Sequence, residues 1–205
     1  MNSISIIRRM RSLALVTSWV ALLAASPATQ AAPTLTTDGG RTSVRLDPGF
    51  LSALKSLSVK PAAVAPATLR TYKNGVWAKF GITTGAVDLG TVKAEIAHEG
   101  GLSLTAGKVQ VELTSFIIDL TGSRPVLTGL VVAKDSVVGR LPLFDLDLAA
   151  AKVKNLRDYL RLSGVNLKLT PEAAAALNGV FGITALRGGI PVGVASVNST
   201  LGDAH

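Results

Sequence analysis

The sequence has no cysteine. Disulfides are therefore excluded, as is a thiol nucleophile, and so is the lipid anchor that needs a cysteine at a processed N-terminus. Histidine is nearly absent too, with His98 inside the chain and His205 at its end. A histidine-rich zinc centre is excluded by count, and His98-Glu99 is not part of an H-E-x-x-H motif. Aromatic residues make up only 4% of the chain, against 48% hydrophobic residues overall. The core must be aliphatic, and a carbohydrate-binding face of stacked rings is not expected. There is no G-x-S-x-G, no G-x-G-x-x-G and no G-x-x-x-x-G-K-[ST], so serine-hydrolase elbows and nucleotide loops have no support. No serine is marked as a triad partner for His98, and the chain reads as non-catalytic.

Apolar runs long enough to cross a membrane are also missing from the body of the chain. The one hydrophobic stretch, Leu13 to Ala25, follows Arg8, Arg9 and Arg11 and precedes small residues. This is the pattern of a signal peptide, with Thr29-Gln30-Ala31 placing cleavage after Ala31. Arg11 occupies a position that is usually apolar in twin-arginine signals, so the general secretory route is expected. The protein should be secreted or periplasmic, with no stable transmembrane anchor. Residues 1–31 hold three arginines and no acid, so their removal lowers the net charge from +8 to +5. The remaining Lys and Arg are scattered. Nucleic acid is not an expected partner, while anionic lipid headgroups or cell-wall polymers suit the mild positive charge.

What the chain has in quantity is alternation. TVKAEIAH, KVQVEL, LFDLDL and GVNLKLT each place apolar residues on one parity and polar residues on the other. Each reads as a strand with one buried face. In VQVELTSFIIDL the apolar parity flips between Leu113 and Phe116, which predicts either a bulge near Thr114-Ser115 or a strand that passes between two sheets. Glycine-marked turns separate the runs. The expected fold is all-β: an antiparallel β-sandwich with two short helices at about 48–57 and 171–179. Asp47-Pro48 and Thr170-Pro171 supply the caps and first-turn prolines of those helices. The expected organisation is a signal peptide (1–31), a loose lead-in (32–41), a single domain (42–198) and a loose tail (199–205).

Two features of this pattern bear on chemistry. Asp145 and Asp147 point the same way from one strand, as a calcium or acid-pair site would require and as a solvated strand face also would. His98 shares the apolar parity of Val92, Ala94 and Ile96. A three-residue turn, Glu99-Gly100-Gly101, would pair His98 with Leu102 and Ile96 with Leu104, with Gly101 left-handed. His98 would then stand at the rim of the core, either capping it through a bond to a loop carbonyl or contacting a ligand there.

The segment TVKAEIAHEGGLSLT resembles the strand–His–Gly–strand segment of HtaA-type haem-binding domains of exported bacterial surface proteins. VQVELTSFIIDL, GRLPLFDLDL and GVNLKLTPEAAAALNGVFG resemble relatives of that group, so the resemblance covers about residues 42–198. It implies antiparallel sheets with a few short helices. It also implies a binding module for haem or another apolar ring, in which a tyrosine ligates the iron and a histidine supports the tyrosine. His98 matches the supporting histidine. The family's early helical tyrosine has no match, because DPGFLSALKSL carries Phe50 instead. Tyr72 precedes His98 in RTYKNGVW, and Tyr159 follows in RDYLRLSG. The candidate ligand-binding residues are His98 and Tyr72, with Gly100 and Gly101 forming the turn that supports the site. The alternative is a structural or adhesive module of the cell envelope with no small-molecule ligand.

Overall fold

The computed structural model describes residues 34–202 except 157 and 158, so the expected signal peptide lies outside the described residues. Strand β1 (Thr34–Leu46) begins the domain. The lead-in expected to be loose is therefore paired backbone from Thr34 onward, because β1 binds a strand on each side. Helix α1 (Pro48–Ser56) follows, then β2 (Lys60–Val64), β3 (Thr68–Tyr72), β4 (Gly75–Asp88), β5 (Lys93–His98) and β6 (Gly101–Ala106). The chain continues through β7 (Val109–Asp119), β8 (Val126–Ala133), β9 (Ser136–Asp147), β10 (Lys152–Leu156) and β11 (Tyr159–Leu169). Helix α2 (Pro171–Phe181) and β12 (Pro191–Leu201) complete it, so part of the expected tail is strand as well.

The expected sandwich is corrected to a closed barrel. Strands run β7-β5-β4-β1-β12-β11-β9-β8, and β8 then pairs with β7 to close the ring. Every pairing in the ring is antiparallel. Alternating residues serve a sandwich and a barrel equally well, since both have one inner and one outer face. The long-range pairing of β1 with both β12 and β4, together with β5 on β7 and β9 on β11, joins all eight strands into one ring and decides between them.

The helices form as their caps predict. Asp47 accepts from the backbone N–H groups of Gly49 and Phe50, and Thr170 accepts from that of Ala173. Pro48 and Pro171 occupy first-turn positions where a missing N–H costs nothing. Phe50 and Leu54 of α1, and Ala173, Ala174 and Leu177 of α2, are buried against the barrel. The predicted bulge is present: the register slips between Thr114 and Ile117, with Ser115 at φ +50°. It keeps Leu113, Phe116 and Ile118 all in the core.

The hairpin expected around His98 does not form. β5 and β6 do not pair with each other; both lie along the same edge of β7, β6 on its first half and β5 on its second. His98 is opposite Ile82 of β4, and Leu102 is opposite Leu113 of β7 and Ala63 of β2. An eleven-residue strand offers enough backbone partners for two short strands end to end, which competes with a local turn. Gly100, not Gly101, takes the left-handed conformation, at φ +74°. Gly101 is required for a different reason, since a side chain there would run into the carbonyl oxygen of Leu113. Val92 is excluded from the strand, 60% exposed at φ +59°. The same arrangement recurs at β11, where β10 pairs with the first half and β9 with the second.

Candidate functional site

His98 ends β5 with its side chain inside the barrel, 5% exposed. It is not a rim residue. Its partners come from the neighbouring β7 and from β1, one strand beyond β4. Nε2 lies 2.6 Å from the hydroxyl of Thr42 on β1, and Nδ1 lies 3.4 Å from the carbonyl oxygen of Phe116 on β7. A carbonyl can only accept, so Nδ1 carries the proton. Nε2 then accepts from the Thr42 hydroxyl, which makes the ring the neutral Nδ1–H tautomer. Burial drives the His98 pKa down to about 4, outweighing the opposing bonds from the backbone. Phe116 also meets Phe80 edge-on, with ring centroids 5.1 Å apart and planes at 86°. The bulge at Ser115 therefore sets the position of both the Phe116 ring and its carbonyl.

An apolar cavity of about 60 Å³ lies beside this cluster, lined by Thr42, His98, Phe80, Phe116 and aliphatic side chains from the barrel and helices. Sites for drug-sized ligands run to roughly 300–1,000 Å³, so this space is a packing gap in a filled lumen.

Tyr72 is not brought near His98. It lies on the outer surface, 46% exposed, with the Lys79 ammonium 5.5 Å from its ring centroid. Asp145 and Asp147 each have their own cation rather than a shared site: Arg124 at 2.6 Å and Lys168 at 3.2 Å. The residues that sequence reasoning missed are Thr42 and Phe116. Thr42 did carry a signal, being a hydroxyl on the same parity as Val44 and Leu46. The Phe116 contribution is a backbone atom and leaves no mark in side-chain pattern.

With this geometry in hand, likeness to solved structures becomes informative. The C-terminal domain of HtaA from Corynebacterium glutamicum superimposes with a TM-score of 0.60, covering 82% of this chain and 99% of that one, at 15% identity. The fold is that of an HtaA-type domain. A domain-swapped dimer of a histidine-to-alanine variant of that domain matches with a TM-score of 0.53, over 75% of this chain and 91% of that one, at 16% identity. No family model and no curated protein matches the sequence. Among the described residues, no helix is long and apolar enough to cross a membrane.

The HtaA-type fold raises the question of haem, and the donor set answers it. The resemblance implies a tyrosine against the histidine. Here the atom against Nε2 is the Thr42 hydroxyl, and no tyrosine lines the cavity. Neither imidazole nitrogen has a lone pair free for a metal in this tautomer, since Nδ1 is protonated and Nε2 is accepting. The residues present do not fit an iron-ligating tyrosine–histidine pair.

Proposed function

We propose that this chain is an exported, non-catalytic binding module built on the HtaA-type fold, in which the histidine is a structural part of the core. The observation that carries this reading is the hydrogen-bonded line from Thr42 through His98 to the Phe116 carbonyl. A ring held at both nitrogens and kept neutral at pH 7 by burial is neither an available base nor an available ligand. Such a ring satisfies a buried polar network, which needs all of its members.

Haem is the second reading, favoured by likeness to the HtaA domain. Titration of the protein with haem separates the two. The structural reading expects no saturable Soret band at micromolar haem. A saturable band whose position changes in His98→Ala would overturn it and make His98 part of a haem site. The same variant should be run by size exclusion, since the histidine-to-alanine variant of the HtaA domain is a domain-swapped dimer. A dimer here would fit a histidine that holds its strands in register.

A further inference from the structure

The outer face of β10, β11, β12, β1, β4 and β3 carries a pattern that the core does not use. Strand register fixes it as three rows running across the strands. The middle row is Lys152, Ser163, Ser196, Ser43 and Lys79, each opposite the next. On one side, two residues along, stand Lys154, Arg161, Asn198 and Arg41. On the other side, Val194, Arg45, Trp77 and Arg70 are successive neighbours. These positions alternate with the buried Thr42, Val44, Ala195 and Val197, so they face away from the core. Three adjacent serines thus form a floor with a lysine at each end and long cations along both sides.

None of the cations in these rows is within salt-bridge distance of a carboxylate among the described residues. Acids stand only at the border of the face among the described residues, with Asp38 beside Gly202 at the far end of β1. Glu99 covers Gly81 beyond Arg41, and Asp147 lies beyond Asn166, held by Lys168. The scattered lysines and arginines of the sequence are thus gathered by strand pairing onto one surface, where they repel one another until an anion is present.

The dimensions select the anion. Neighbouring strands lie about 4.8 Å apart, so the row from Lys152 to Lys79 spans four intervals, about 19 Å. A single phosphate would use one end of that length. A chain with repeating charges would use all of it, with serine hydroxyls donating to its oxygens and the cations flanking it. A lipid surface would need apolar side chains to insert. The rows offer Val194 and a half-buried Trp77, whose Nε1 donates to Asn74, while the exposed Leu156 on β10 and Tyr72 on β3 stand at opposite edges, about five strand spacings apart, and form no single patch. We infer that this face binds a linear phosphodiester-linked polymer of the cell envelope, laid across the strands over Ser163, Ser196 and Ser43. This rests on the binding-module reading above and gives it a partner.

The test is fluorescence anisotropy of labelled poly(glycerol phosphate) chains with the full chain. Saturable binding at 50 mM salt should weaken about 10- to 100-fold at 200 mM, as a few released counterions require. Arg41→Glu with Arg161→Glu should cost about tenfold or more. Ser196→Leu, which changes no charge, should cost about fivefold by filling the floor. Lys108→Glu with Lys134→Glu, in turns away from the face, makes the same change in net charge and should leave affinity within about twofold. Melting curves verify folding, and Arg41→Gln with Arg161→Gln replaces the reversal pair if that pair unfolds. Four results would overturn the inference: no binding at 50 mM salt; equal loss in the control pair; full competition by inorganic phosphate at equal phosphate concentration; or binding to anionic vesicles without binding to the polymer. Haem titration of the same sample reads the interior, so failure of either reading leaves the other result standing.

Discussion

Thr42 and Ser43 are neighbours on β1 and face opposite sides of the barrel wall. Thr42 looks inward, where one titratable group, His98, is neutral and bonded at both nitrogens. Ser43 looks outward, where several charges lie close together and none is ion-paired with a carboxylate among the described residues. Two hydroxyls one residue apart therefore belong to a closed polar network and to an open ionic face. The wall between them is a single layer of backbone. Inside, an unsatisfied polar atom is costly, because water cannot step in. Outside, unpaired charge costs little for folding and stays available to a partner.

The largest expected effect would break the inner member of this comparison. His98→Ala removes a buried ring and leaves the Thr42 hydroxyl and the Phe116 carbonyl without partners. It should lower the unfolding free energy by about 3–4 kcal/mol, read from urea denaturation at pH 7. A loss below about 1 kcal/mol would mean that the network is not structural.

Acid should produce an effect of similar size. The unfolded chain takes up a proton on His98 near 6.5, while the folded chain does so only near 4. Between these values the unfolded state binds more protons, so stability falls as the pH drops from 6.5 to 4. The full loss is about 3 kcal/mol. Urea midpoints at pH 7 and pH 4 measure it, and His98→Gln should flatten the difference. The exposed carboxylates of Asp88 and Asp119 are held below their usual range, chiefly by the hydroxyls of Thr91 and Thr121. Their contribution is lost only at lower pH, as the medium falls below their unfolded value of 3.8.

Thr42→Val keeps the shape of the side chain and removes the donor to Nε2. It should cost about 1–2 kcal/mol in the same assay. Its neighbour sharpens the contrast: Ser43→Ala, and likewise Arg41→Glu with Arg161→Glu, should change stability by less than about 0.5 kcal/mol per substitution. If Ser43→Ala proved as costly as Thr42→Val, the outer serines would be structural and the contrast would fail.

Much of the fold was legible. The strand faces, both capped helices and the bulge near Ser115 follow from residues close together in sequence. The environment of His98 was half legible. Parity put it on the inner face with Ala94 and Ile96, but its strand partner was wrong. The local turn to Leu102 was a reasonable competitor, and it lost to β7, whose length accommodates β5 and β6 in succession. Tyr72 could not be placed from its sequence context, because RTYKNGVW forms a β3–β4 hairpin on the outer wall and keeps the ring outside. The basic face was not legible at all, since its cations come from β10, β11, β1, β4 and β3.

Sequence alone therefore determined which residues face inward, Val92 excepted, where the helices start and that the core is aliphatic. These depend on alternation and capping, which act over a few residues. Tertiary structure alone decided that the sheet closes into a barrel, that His98 meets Thr42 and the Phe116 carbonyl, and that three distant serines form one floor. Each of those depends on which strand pairs with which. Backbone hydrogen bonds are chemically alike along every strand, so the choice rests on the burial that the closed barrel achieves as a whole.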